Sequence, residues 1–407
     1  MAHRILVVLL LAGALAVDSC ASPEPESHYG FVARLGTDTL SVENVTWRGQ
    51  HVIVDGVDRF PRVRRRHTTI DLGEDGGIRR LTMDIETPSE PPDERERHVE
   101  ARVSGDRVHL VKTGRADTVR RDFDTRHAVV VAHVPQMYSL YDIYFVAAHR
   151  NAKPGRTDDT VHLRQFYVDR EFDNFSMHNA SVRLLPNDKA EIWHDWLAGI
   201  GEAQLDSSGH LVRYSGARTT YKVDVVRTPD TANVTAIATS FAAAEAKSGG
   251  ARELSVRDTA RAMVGTATFM FDYSRPLRRG RVLLGNVVPY DRVWRTGANA
   301  ATQFSTSAAI TIGDLHVPAG TYTLWTVPRP NGAAELIVNK QTRQWGTQYN
   351  ASLDLGRTAL HTTTVPQPVE KFTISIVPNS ANRAILRLEW GTFQWTAPIV
   401  LANGAGQ

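Results

Sequence analysis

The hexapeptide LTMDIE (Leu81–Glu86) alternates the apolar side chains of Leu81, Met83 and Ile85 with those of Thr82, Asp84 and Glu86. A period of two puts the two sets on opposite faces, as in an antiparallel strand with one dry and one wet side. The pattern recurs in Val99, Ala101 and Val103, which alternate with Glu100 and Arg102. It recurs again in Tyr221, Val223 and Val225, which alternate with Lys222 and Asp224. Glu74-Asp-Gly-Gly77, Ser104-Gly-Asp106 and Asp206-Ser-Ser-Gly209 supply turns between such runs. The spacing predicts one long meander of hairpins from His28 to Arg227. Gln136 to His149 breaks the alternation; Tyr138, Tyr141 and Phe145 share a helical face there, which predicts one helix docked on the sheet.

Beyond Thr228 the pattern changes. Asp230 is placed to cap a helix with the stripe Val234, Ile237 and Phe241, and that helix ends before Gly249-Gly250. Strand-like runs then return at Asp258–Val264, Ala267–Tyr273, Gln303–Ile312, Thr321–Val327, Glu335–Asn339, Phe372–Val377, Ala384–Trp390 and Thr392–Val400. Many short strands with no intervening helices point to a β-sandwich or jelly-roll-like unit. The expected chain is therefore all-β. An antiparallel β-meander, a curved sheet with one docked helix, occupies 28–228. An Ala-rich helical linker spans 229–254, and a C-terminal β-sandwich spans 255–402.

Three segments in that last unit carry a resemblance: GNVVPYDRVWRTGANAA (Gly285–Ala301), VPAGTYTLWTVP (Val317–Pro328) and LIVNKQTRQWGTQYN (Leu336–Asn350). Together they resemble a bacterial envelope family defined only as domain of unknown function 2911. The resemblance covers 255–402 and implies a fold and a cellular address but no reaction.

The start of the chain reads as an export signal (1–19). A positive start with Arg4 precedes an apolar run from Ile5 to Val17, too short to span a bilayer. Cys20 is the one cysteine of the chain, and an exported thiol without a partner is unusual. Val17-Asp18-Ser19-Cys20 resembles a lipobox, which implies an acylated Cys20, a membrane anchor and a polar tether over 20–27. Asp18 departs from that pattern, and ordinary cleavage after Ala21 is the alternative.

The composition, 42% hydrophobic and 22% charged, is that of a globular chain. The net charge is +3. Arg62-Val-Arg-Arg-Arg66 and Arg278-Arg279-Gly280-Arg281 are read as solvated strand faces and turns, since export and interspersed acids argue against a nucleic-acid partner. No Gly-x-Ser-x-Gly elbow, Ser-x-x-Lys motif, phosphate-binding glycine loop or His-Glu-x-x-His occurs. His127 and His133 are read as sharing one strand face, too far apart for one metal ion. In Trp193-His194-Asp195-Trp196 the aspartate could orient an imidazole, yet neighbours on a strand point to opposite faces. No catalytic residue, metal or cofactor is expected.

The strongest cluster is Tyr290, Trp294, Arg295, Asn299, Asn339, Lys340, Gln344 and Trp345, which combines aromatic plates with amide and cationic donors. Such a mixture binds polar or anionic ligands. The plainer alternative makes both tryptophans core plugs and has Arg295 and Asn299 satisfy loop carbonyls. The leading expectation is a non-catalytic cell-envelope lipoprotein that binds a small molecule, lipid or glycan. The alternatives are a glycan hydrolase using a carboxylate pair and a structural module of an envelope assembly; the oligomeric state is left open.

Overall fold

The computed structural model describes residues 26–153, 159–168, 176–195, 197–229, 231–249 and 253–402. The export signal, Cys20, Asp230 and Gly250 lie outside them. Eight strands come first: β1 (Glu26–Leu35), β2 (Asp38–Arg48), β3 (His51–Asp58), β4 (Arg64–Leu72), β5 (Ile78–Glu86), β6 (Glu96–Ser104), β7 (Arg107–Gly114) and β8 (Thr118–Asp124). Then follow β9 (Val130–His133), α1 (Tyr138–Asn151), β10 (Thr160–Tyr167), β11 (His178–Leu185), β12 (Lys189–His194), β13 (Gly201–Leu205), β14 (Leu211–Ser215) and β15 (Asp224–Thr228). All fifteen strands make one sheet in the order β8 through β1, then β15 back through β9.

The first strand thus lies mid-sheet, with Val32 opposite both Val42 and Val226. Period-two burial follows the sequence reading: in β5 Leu81, Met83 and Ile85 are buried and Arg80 and Asp84 exposed. The one parallel pair among the described strands, β9 with β10, is joined through α1, since parallel neighbours need a crossover. His127 does not share a strand with His133; it sits in a turn with a left-handed backbone (φ 57°).

The helix α1 is not merely docked. Every residue from Tyr138 to Ala148 is buried, and the sheet curls around it. Gly77 at the start of β5 comes up against Val129 and Val130, so the open sheet wraps its helix without closing into a barrel. Phe145, Tyr144, Phe166 and Tyr214 fill the concave side. The buried carboxylate of Glu43 accepts from the backbone N–H groups of Tyr138 (2.6 Å) and Ser139 (3.1 Å) and holds the start of α1. Burial raises its pKa to about 7 despite those bonds.

The helix α2 (Val234–Lys247) packs outside the same sheet, with Val234 and Ala238 against Val42, Val57 and Val63. Asn233 caps it by accepting from the Ala236 N–H (3.0 Å), in place of the expected Asp230. Asn44 clasps its approach through both hydrogen bonds of Ala232, each 2.8 Å.

The second sheet comprises β16 (Ser255–Val264), β17 (Ala267–Pro276), β18 (Ala298–Thr306), β19 (Ile310–Ile312), β20 (Leu315–Val317), β21 (Gly320–Pro328), β22 (Ala334–Asn339), β23 (Asp354–Pro378) and β24 (Arg383–Leu401). Its order is β16-β17-β18-β21-β22-β23-β24-β19-β20. The expected Ala384–Trp390 and Thr392–Val400 form one long strand with a left-handed Gly391 at its bend. The expected Gln303–Ile312 divides between β18 and β19. The far end of the β23–β24 hairpin folds over β17, where the Ile374 N–H donates to the Tyr273 hydroxyl (3.0 Å). The result is a two-layer sandwich around Phe271, Phe304, Phe372, Trp390 and Trp395.

Candidate functional site

Where the two sheets meet, the β1–β2 turn presses into the loop that follows β17. The Thr37 N–H donates to the Arg279 carbonyl (3.0 Å), and the Arg279 Nε donates to Asp38 (2.8 Å). Gly36 has φ +61°, and a Cβ there would lie 2.0 Å from the Arg279 carbonyl oxygen, so only glycine fits this seam. Beside the seam opens a cleft of about 950 Å³. One wall comes from the β12–β13 and β14–β15 loops, with Arg218, Tyr221 and Lys222; the other comes from Arg279, Arg281, Arg292, Arg295, Asn299 and Tyr349.

The charge of that lining is one-sided. Among its described residues it contains Arg218, Lys222, Arg279, Arg281, Arg292 and Arg295, and no aspartate or glutamate. Arg218 is neutralised by Glu191 and Glu202, and Arg279 by Asp38. Among the described residues, Lys222 and Arg281 hydrogen-bond only to backbone carbonyls: Ala217 for the lysine (2.6 Å), Arg278 (3.0 Å) and Leu277 (2.6 Å) for the arginine. The Arg295 side chain has no hydrogen-bond partner among the described residues, and its Nε is buried. Its stem crosses Gly346, where a Cβ would lie 2.0 Å from the Arg295 Cδ.

The electrostatics agree with the contacts. Burial lowers the Lys222 pKa, and the neighbouring charges of Arg281 and Arg295 lower it further. Burial, followed by Arg279, brings Arg281 down to about 10. Burial also lowers Arg295. Lost water and like charge both disfavour the charged forms here, while Glu370 and Asp38 act the other way on Arg281.

The eight residues singled out in the sequence divide among several places. Arg295, Asn299 and Trp294 line the cleft. Trp294 is also core, stacked on Trp390 at 5.9 Å and 10°. Arg295 satisfies no loop carbonyl, and the amide of Asn299 reaches only the Ser274 hydroxyl (3.4 Å). Tyr290 packs its ring over Gly285 at the cleft edge. The segments 289–299 and 339–346 do converge, through the Gly346 N–H donating to the Asn299 carbonyl (3.0 Å). Asn339 is wholly buried and ties Asn350 and Asp354 together, and Gln344 donates to Thr323. Lys340 and Trp345 are exposed outside the cleft lining, Trp345 by 52%.

Sequence reasoning missed the contribution of the first sheet, Lys222 above all, because its alternating partners Tyr221 and Val223 made it look like an ordinary wet-face residue. The arginine clusters read as solvated were partly misread. Arg279 is 5% exposed at the seam, and Arg66 is buried in an ion pair with Asp58.

No curated protein matches this chain. Among solved structures, a DUF1089 family protein from Pseudomonas aeruginosa is 11% identical with a TM-score of 0.32, covering 50% of this chain and 97% of its own. A β-barrel-like protein of domain of unknown function DUF1849 from Brucella abortus is 11% identical with a TM-score of 0.31, covering 51% and 97%. The N-terminal region matches no family model. Residues 255–399, the sandwich that supplies Arg281 and Arg295, match the family described as protein of unknown function DUF2911.

Proposed function

We propose that this is a cell-envelope protein that captures a small anionic ligand, bearing phosphate or carboxylate groups, in the cleft between its two sheets. The observation that carries the reading is the lining itself, six cationic side chains and no carboxylate among its described residues. An anion there gains charge-assisted hydrogen bonds from Lys222, Arg281 and Arg295, which are already partly buried. Glycan hydrolysis by paired carboxylates is disfavoured at this cleft, because that chemistry needs two acids roughly 5–10 Å apart. Lipid carriage is disfavoured as well, because α1 fills the concavity an acyl chain would need.

Inorganic pyrophosphate is a suitable probe, since it offers two charged centres. Calorimetric titration at low salt is expected to show saturable binding that weakens as salt rises. No heat of binding at millimolar pyrophosphate would overturn the reading. The expectation that Cys20 is acylated places the protein on a membrane. Cys20→Ser is then expected to move it into the soluble fraction, and unchanged fractionation would count against the anchor.

A further inference from the structure

At the start of β11 three side chains are joined in one hydrogen-bonded line. The Ser176 Oγ lies 3.0 Å from the His178 Nε2, and the His178 Nδ1 lies 2.8 Å from the Asp195 Oδ2. An ionised carboxylate only accepts, so the Nδ1 carries the proton and the Nε2 is left as the acceptor for the serine hydroxyl. The line continues inward. Asp195 Oδ1 accepts from Gln165 Nε2 (3.2 Å), and Gln165 Oε1 accepts from the Tyr144 hydroxyl (2.5 Å). Gln165 and Tyr144 are both fully buried. The His178 ring is held edge-to-face against Tyr167 at 4.6 Å. The serine itself is exposed at the surface.

The sequence reading had Asp195 beside His194. The strand turns His194 inward, where it meets the Tyr141 hydroxyl (3.1 Å), and frees Asp195 to orient His178 from the neighbouring strand. Nucleophile, base and orienting carboxylate in this connectivity make up the constellation of serine acyl-transfer enzymes, which recurs on unrelated folds and is recognised by geometry, not by motif.

We infer that Ser176, His178 and Asp195 form a serine-nucleophile site that hydrolyses carboxylic esters with short acyl groups. The Ser176 Oγ bonds to the ester carbonyl carbon while its proton passes to the His178 Nε2. The acyl C–O bond then breaks, and the departing alcohol takes that proton. Water adds to the acyl-serine, gives a proton to the Nε2 and releases the carboxylic acid as Oγ recovers the proton. Asp195 is a positioning residue that holds the tautomer. Acyl groups are short because Gln165 and Tyr144, both fully buried behind Asp195, and Tyr167 against the His178 ring close the inward side of the line.

The test is fluorophosphonate labelling of the full chain, with the modified peptide read by mass spectrometry and p-nitrophenyl acetate as the turnover substrate. Label on Ser176 is expected. His178→Gln is expected to lower the labelling rate by about a hundredfold or more, the usual contribution of a general base. Asp195→Asn is expected to slow labelling and shift its pH profile while circular dichroism and melting stay unchanged. No label on Ser176 in the wild-type protein, or labelling undiminished in His178→Gln, overturns the assignment. Either result would leave the anionic cleft untouched.

Discussion

Replacing Lys222 and Arg295 together with methionine is expected to weaken pyrophosphate binding by on the order of a thousandfold, from two charged hydrogen bonds at about 1.5–3 kcal/mol each. The same double variant is expected to melt at or above the wild-type temperature. The sign follows from the bases themselves. Both have folded pKa values depressed, chiefly by burial. A base held below its unfolded pKa penalises the folded state at every pH beneath the depressed value, and the penalty fades as pH rises through it. At neutral pH the penalty is therefore present, and an apolar side chain of similar length removes it. Arg295 suits the test because its side chain has no hydrogen bond to lose among the described residues and its stem still packs on Gly346. A lower melting temperature together with intact pyrophosphate binding would show both cations to be structural.

Phe145→Ala carries the other large effect. Phe145 is wholly buried in a helix that the fifteen-stranded sheet encloses. Truncating such a ring removes its burial and leaves a cavity, at about 3–5 kcal/mol. Urea unfolding of the full chain measures it. A cost below about 1 kcal/mol would mean that α1 lifts off the sheet, which would return the concavity to use as an apolar ligand site.

The strands were legible because their alternation is a direct print of one buried face: Leu81, Met83 and Ile85 needed no partner to be read. The enclosure of α1 was not legible. Its stripe of Tyr138, Tyr141 and Phe145 is one face among several buried ones, and how far a sheet curls depends on pairings that a single sequence does not display. The sandwich half of the cleft was readable, since Arg295 and Asn299 stand in a loop rich in donors. Lys222 was not, because it joins Arg295 only through the docking of two sheets far apart in sequence, and Arg281 read as one of a cluster of solvated turn arginines. Ser176 and Asp195 are similarly brought together by the register between β11 and β12, with Ala180 opposite His194. No spacing rule along the chain encodes that meeting.

The central claim is that the cleft holds an anion, and the most direct measurement is anomalous diffraction from crystals of the protein soaked in tungstate. The account predicts a tungsten peak within hydrogen-bonding reach of Arg295, with Arg281 or Lys222 as a second donor, and its loss in the Lys222→Met, Arg295→Met variant. Tungstate bound only elsewhere on the surface, with the cleft left empty, would contradict it.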